Sequence, residues 1–286
     1  MAATEIAFDH LSNQEYDPSL YRPDRVVEPL SGLSAIRGQH LEQYEAVGFL
    51  SVAGLFTPEE IHASIDALVE MASGPRPEGV DLQFESAGRG VIEALSPVER
   101  LDYVRKLMWF YRHDPRLEAL AMHPGVLGVV RRLLGAEPEV FQDMALLKPP
   151  GIGREKPWHQ DHAYFNLPEG TPVVGVWIAL DEATTENGCM VFLPGGHHAG
   201  PLPHFNRRDW QICDADILPK DGKVACPLPS GGALIFDGLT PHGTPTNRSD
   251  TRRRALQFHY IPKGTARIST EERMALFGSE GRNVAC

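Results

Sequence analysis

Two rhythms of apolar residues divide the chain near residue 136. Between residues 37 and 135 apolar positions recur every three or four residues, the spacing of one helix face, so this stretch is expected to form a helical support layer. Its clearest start is Thr57-Pro58-Glu59-Glu60, with threonine as N-cap, proline in the first helical position and Glu60 placed to close a capping box. Ile61, Ile65 and Leu68 then share a face. Further helices are expected over Pro97 to Tyr111 and Gly125 to Leu134, with Gly74 to Gly79 as an intervening loop.

Beyond residue 136 the pattern changes to short apolar and β-branched runs bounded by Gly, Pro, Asn and Asp. Strands are expected over Val140 to Leu147, Val173 to Leu180, Met190 to Leu193, Ala233 to Phe236 and Ala255 to Tyr260. Strands of this number and spacing close into a sandwich or barrel, which removes exposed edges, and the preceding helices can cover one outer face. The expected class is therefore α+β with a mainly β core. Residues 1–36 read as an irregular lead-in and 37–286 as one domain, with its β core over 136–262 and a tail over 263–286. Within the core, 203–223 looks like a long insertion placed to act as a substrate lid.

Composition sharpens this picture in three places. The 27 glycines and 24 prolines suit many short strands joined by turns. A formal charge of −11 disfavours a nucleic-acid or anionic-membrane partner, because phosphate contacts need clustered Lys and Arg. The longest apolar runs, such as Val173 to Leu180, fall far short of the roughly 20 residues that cross a bilayer, and the first residues lack the pattern of a signal peptide, so a cytoplasmic location is expected. Cys189, Cys213, Cys226 and Cys286 show no CxxC pairing and are expected to be reduced structural thiols. Nothing in the pattern speaks to oligomeric state.

His159-Gln160-Asp161 supplies the first candidate chemistry. In an extended segment residues i and i+2 leave the same face, so the imidazole and the carboxylate can converge on one ion. Taken alone the HxD pattern is common, and two unrelated polar residues at a strand end would explain it. His242 adds a third donor after the apolar run Gly232 to Asp237 and the turn Gly238 to Pro241. Two histidines and one carboxylate on one face of Fe(II) leave three adjacent positions, which a bidentate 2-oxoacid and O2 fill. A surface turn histidine is the competing account of His242.

The run Arg252-Arg253-Arg254 supplies a planar, bidentate grip of the kind that suits the distal carboxylate of 2-oxoglutarate. Strand parity groups Arg253, Ala255, Gln257 and His259 on one face, and Arg254, Leu256, Phe258 and Tyr260 on the other. Periodicity alone leaves open which of the two faces is the interior. Trp158, Gln160, His162 and Tyr164 flank the proposed ligands and are candidate substrate contacts. For the aromatic residues barrel packing is the competing account, and for His162 a solvated turn.

Taken together, Pro157-Trp-His-Gln-Asp161, Val176-Trp-Ile-Ala-Leu-Asp181, Asn187-Gly188, Leu193-Pro-Gly-Gly-His197 and His242-Gly-Thr with Asn247 and Arg253 resemble the phytanoyl-CoA dioxygenase family of Fe(II)/2-oxoglutarate oxygenases. The resemblance implies a double-stranded β-helix, a cupin-like jelly-roll barrel, with Fe(II) held at its mouth by His159, Asp161 and His242. It also implies 2-oxoglutarate contacts at Met144, Trp177, Thr244 and Arg253, and a lysine on an upstream helix for which Lys106 is the nearest match. Thr244 stands where serine is commoner, and its hydroxyl can donate the same hydrogen bond. Gly196 also replaces a usual serine, in a turn. Related iron halogenases leave the carboxylate position as alanine or glycine, so Asp161 implies oxygen insertion rather than halogenation.

The activity expected from this resemblance is hydroxylation of a C–H bond in a small organic metabolite, with consumption of O2 and release of succinate and CO2. Desaturation, epimerisation or ring formation by the same cofactors is the alternative, and a non-catalytic metal-binding barrel is the reading from a different class. An acyl-CoA thioester would need a basic groove for its phosphates, and only Arg207, Arg208, Lys220 and Lys223 in the insertion suggest one.

Overall fold

The computed structural model describes residues 6–8, 15–214 and 217–284. Two sheets dominate it. The larger has the strand order Ala7–Phe8, Asp81–Phe84, Val104–Met108, Pro138–Lys148, Arg253–Pro262, Val174–Ala179, Ala233–Asp237, Phe49–Ala53 and Leu30–Ser31. The smaller runs Arg25–Val26, Val224–Cys226, Met190–Phe192, His242–Thr244 and Lys156–His159. A separate hairpin joins His204–Asn206 to Trp210–Ile212.

Strand alternation sorts the side chains into two cores. From Val174–Ala179, residues Val174, Val176 and Ile178 turn outward to the helices, and so do Leu256, Phe258 and Tyr260 of Arg253–Pro262. Trp177, Ala179 and Ala255 face the other way, toward Met190 and Phe192 of the smaller sheet. There the rings of Phe49 and Phe192 stack with centroids 4.6 Å apart, which ties the two sheets face to face. Gly175 belongs to this inner face, and a Cβ there would fall 2.6 Å from the Phe236 ring. Each fully hidden Val, Leu, Ile or Phe contributes about 1.5–3 kcal/mol of transfer free energy, so the double lining fixes strand register strongly.

The helix Pro58–Ser73 begins as its sequence predicts: the Thr57 backbone N–H donates to Glu60 Oε2 at 2.8 Å and the Glu60 N–H donates back to Thr57 Oγ1 at 3.3 Å. It buries Ile61, Ala67, Leu68 and Met71. Pro124–Leu134 is also helical and buries Val126, Val129, Val130 and Leu134 against the outer face of the larger sheet.

The expected helical support layer over 37–135 forms only in part, as Gly38–Val47, Pro58–Ser73, Pro115–Ala121 and Pro124–Leu134. That stretch contributes the strands Phe49–Ala53, Asp81–Phe84 and Val104–Met108 to the larger sheet. The helix expected over Pro97 to Tyr111 is a short 3-10 turn, Glu99–Tyr103, followed by a strand. Pairing of that strand with Asp81–Phe84 slips between Gln83 and Phe84, so Val104 faces Phe84 while Lys106 faces Gln83. The extra residue, Arg105, resets the parity and lets Val104 and Leu107 both reach the core at a separation that imitates a helix. The lead-in is likewise less irregular than expected, since Arg25–Val26 and Leu30–Ser31 join the two sheets. Cys189 and Cys226 are buried free thiols, and Cys286 lies outside the described residues. Among the described residues no helix is long and apolar enough to cross a membrane.

Candidate metal centre and its cavity

His159 ends the strand Lys156–His159, and His242 opens the strand His242–Thr244; the antiparallel register sets them directly opposite each other. Their ring centroids lie 4.3 Å apart. Close approach of the two strands requires Gly243, where a Cβ would meet Lys156 O and Tyr21 Cε1 at 3.0 Å. Asp161 follows at the first residue of a 3-10 turn, Asp161–Tyr164. Its Oδ1 lies 3.2 Å from His159 Nε2 and 3.7 Å from His242 Nε2, and one donor atom from each of the three residues falls within 4.8 Å of the others. All three side chains are buried.

Backbone carbonyls select the tautomer that a metal needs. His159 Nδ1 lies 2.8 Å from Pro157 O and His242 Nδ1 lies 2.9 Å from Thr240 O, so each Nδ1 carries the proton and donates it, leaving the Nε2 lone pair toward Asp161 Oδ1. Burial, helped by the neighbouring His159, pushes the His242 pKa down to about 4, which keeps the ring neutral. Burial alone would raise the Asp161 carboxyl, but its interactions with His242, His259 and His159 outweigh it and hold Asp161 well below the usual carboxylate range. An anionic ligand between neutral imidazoles is the donor set of the two-histidine, one-carboxylate iron sites.

The centre opens into a cavity of about 270 Å³, whose lining includes Met144, Trp177, Thr244 and Arg253 as well as Lys156, Tyr164, Asn206, Asp209 and Trp210. All four positions that the family resemblance assigns to the co-substrate thus surround this one cavity. The strand Arg253–Pro262 turns Arg253 inward, where its guanidinium carbon sits 5.4 Å above the Trp177 ring, while Arg254 pairs with Asp181 and Arg252 reaches Asp102 at the surface. Arg253 is 2% exposed, and burial lowers its pKa to about 10. Its Nη1 donates to Leu146 O at 3.1 Å, but its Nε, together with Thr244 Oγ1 and Trp177 Nε1, has no hydrogen-bond partner among the described residues. Three buried donors aimed into one cavity fit a small anion beside the metal.

Of the residues considered for the substrate side, Tyr164 alone lines the cavity. Trp158 alternates to the opposite face of its strand, stacks on Tyr21 and donates from Nε1 to Leu20 O at 3.1 Å. Gln160, between the two ligands, is turned away and bonds Gly200 O, Leu239 O and the Leu202 N–H. His162 is buried beside Phe277, with its pKa lowered by burial to about 4. Lys106 does line the cavity, from a strand rather than a helix. Sequence reasoning did not single out Lys156, and reached Asp209 and Trp210 only as part of the 203–223 insertion: Lys156 pairs with Asp209 and donates to Tyr164 Oη at 2.8 Å, and Tyr164 Oη donates to Trp210 O at 2.8 Å, which fastens the hairpin over the cavity. Two-residue alternation from His159 predicts Pro157 rather than Trp158 on the ligand face, and that signal was available.

The family model for phytanoyl-CoA dioxygenase (PhyH) matches residues 44–255. Phytanoyl-CoA dioxygenase domain-containing protein 1 of Danio rerio is 26% identical over 80% of this chain and 91% of its own length. The peroxisomal phytanoyl-CoA dioxygenase of Mus musculus is 26% identical over 83% of this chain and 77% of its own. Among solved structures, EvdO2 from Micromonospora carbonacea var. aurantiaca complexed with 2-oxoglutarate is 29% identical, covers 82% of this chain and 94% of its own, and superposes with a TM-score of 0.64. The non-heme alpha ketoglutarate dependent carbocyclase SnoK from nogalamycin biosynthesis, 22% identical over 85% of this chain and 90% of its own with a TM-score of 0.65, shares the fold. On the extent of the family match, with the three donors and the cavity in place, the chain belongs to the phytanoyl-CoA dioxygenase family.

Proposed function

We propose that this chain is an Fe(II)- and 2-oxoglutarate-dependent dioxygenase that hydroxylates a C–H bond of a small organic metabolite. The observation that carries the reading is the convergence of His159, Asp161 and His242 beside a buried arginine with an unpartnered nitrogen in the same cavity. The 2-oxoglutarate complex of EvdO2 supports the choice of co-substrate. The two facing sheets are read as the halves of a double-stranded β-helix.

Fe(II) bound by the three side chains supplies, with 2-oxoglutarate and O2, the oxidising power for C–H oxidation with release of succinate and CO2. His159 and His242 present neutral Nε2 atoms, and Asp161 supplies one negative charge. Arg253 grips the distal carboxylate of 2-oxoglutarate, and Thr244 Oγ1 and Trp177 Nε1 donate to its oxygens. Met144, Leu146 and Met190 line the same cavity and exclude water. The main substrate enters past Tyr164 and Lys156, and the hairpin His204–Ile212, within the insertion 203–223, closes over it.

Succinate release tests this directly. The full chain, loaded anaerobically with Fe(II) and 2-oxoglutarate and then exposed to air, is expected to form succinate, and His159→Ala is not. Equal succinate from both proteins, or none from either with bound Fe(II) verified, refutes the assignment.

A further inference from the structure

The two oxygens of Asp161 have different neighbours. Oδ1 faces the imidazoles of His159 and His242 at 3.2 and 3.7 Å. Oδ2 faces away from them and is held by two donors at 2.8 Å, Gln257 Nε2 and His259 Nε2. We propose that Gln257 and His259 are positioning residues which occupy Oδ2 so that Asp161 offers the metal Oδ1 alone, keeping three coordination positions open. This rests on the metal-centre reading above.

Both donors are built in. His259 is 0% exposed and Gln257 is 3% exposed. The bond to a carboxylate requires a proton on His259 Nε2, and Gln142 Oε1 accepts from Nδ1 on the opposite side of the ring, so the imidazole is clamped between two acceptors. Phe165 packs edge-on to the same imidazole at 4.9 Å, so the ring has little room to turn. Gln257 and His259 share a strand face with Arg253, and one strand therefore carries both the co-substrate grip and the ligand brace.

Coordination number gives the brace its purpose. Were Asp161 to swing and chelate with both oxygens, two buried donors would lose their acceptor, a state that buried polar groups avoid. The second oxygen would also take one of the three positions that a bidentate 2-oxoacid and O2 need together. Outer-shell partners of this kind typically change metal affinity 10- to 100-fold when removed.

The test uses the full chain with Mn(II) as a redox-inert probe, in the parent, Gln257→Leu, His259→Leu and His259→Gln. Titration calorimetry measures Mn(II) binding, then 2-oxoglutarate binding to the Mn(II)-loaded protein, with metal-free thermal unfolding recorded for each. Both leucine variants are expected to bind Mn(II) about 10- to 100-fold more weakly and the loaded forms to bind 2-oxoglutarate more weakly still. His259→Gln returns an N–H donor and is expected to recover part of both affinities. Folded leucine variants that match the parent within about twofold on both ligands overturn the proposal; should His259→Leu not fold, Gln257→Leu alone decides by the same criterion. A parent that binds no Mn(II) sinks the metal-centre reading and this inference together, whereas a binding parent with unchanged variants sinks this inference only.

Discussion

The guanidinium of Arg253 lies over the face of the Trp177 indole, and among the described residues neither side chain has a partner for all its donors. Its two neighbours in the run are differently placed. Arg254 makes a two-toothed pair with Asp181, at 2.8 and 2.7 Å, and Arg252 meets Asp102 where both side chains are largely exposed. Arg253→Leu is therefore expected to raise the KM for 2-oxoglutarate at least about tenfold, the loss of a charge-assisted pair, while leaving the KM for the main substrate nearly unchanged. Arg254→Leu should cost about 1–2 kcal/mol of stability without that kinetic signature, and Arg252→Leu about 0–1 kcal/mol. Steady-state kinetics and denaturant unfolding on the three variants check the contrast, and a KM effect at Arg252 or Arg254 instead contradicts the inward placement of Arg253.

Removing a ligand should separate metal binding from folding. In Asp161→Ala, Gln257 and His259 lose their acceptor, at a cost of about 1–3 kcal/mol, while the desolvated carboxylate goes with it. The expected outcome is a cooperatively folded protein with metal binding weakened more than about 100-fold and no succinate formation. Circular dichroism and calorimetry decide it; a variant that retains metal affinity refutes the ligand assignment.

Tyr164 joins the triad side of the cavity to the hairpin through Lys156 and Trp210. Tyr164→Phe removes the hydroxyl between them and should loosen the hairpin. The prediction is a KM for the main substrate raised about 3- to 10-fold, as one lost hydrogen bond allows, with 2-oxoglutarate binding unchanged. Equal changes for both ligands would mean that the hydroxyl supports the whole cavity rather than the hairpin.

Three buried histidines make the metal-free protein acid-labile. Burial lowers His162 and His242 to about 4 and His204 to about 3, below the ordinary 6.5. Each is neutral in the folded chain and takes up a proton on unfolding below 6.5, so the stability it contributes is complete above that pH and is lost as pH falls toward the folded value. Each group contributes at most about 1.36 kcal/mol per pH unit, about 4 kcal/mol per unit for the three. Asp143 and Asp237, raised by burial, return part of this at lower pH, where their carboxyls titrate. Urea midpoints in the presence of a chelator should fall clearly between about pH 7 and about pH 5; a flat profile would show that the rings are not held neutral.

Where a strand is buried on both faces, its sequence announces the fact. Leu256, Phe258 and Tyr260 alternate with small and polar residues, so the two faces of Arg253–Pro262 could be listed in advance, and only the choice of the inner one needed structure. The metal triad was legible for a similar reason, because His159 and Asp161 obey a two-residue period and His242 follows an apolar strand. Val104–Met108 was misread because the bulge at Arg105 gives it a three-residue spacing. The pairing of Lys156 with Asp209 was invisible for a different reason. Their relationship is a contact across 53 residues between a strand and a hairpin, and no local period encodes it.

The register of His159 against His242 has one more consequence. Lys156–His159 stands at the edge of the smaller sheet, four residues long, and its pairing with His242–Thr244 is interrupted by a shift in register. So short a border would fray on its own, yet its seam with His242–Thr244 holds two of the three donors, His159 and His242, from segments far apart in the chain. An ion clasped there would work as a rivet through the sheet's weakest seam, and amide exchange at Trp158 and His159 should slow on metal loading before any distant strand responds.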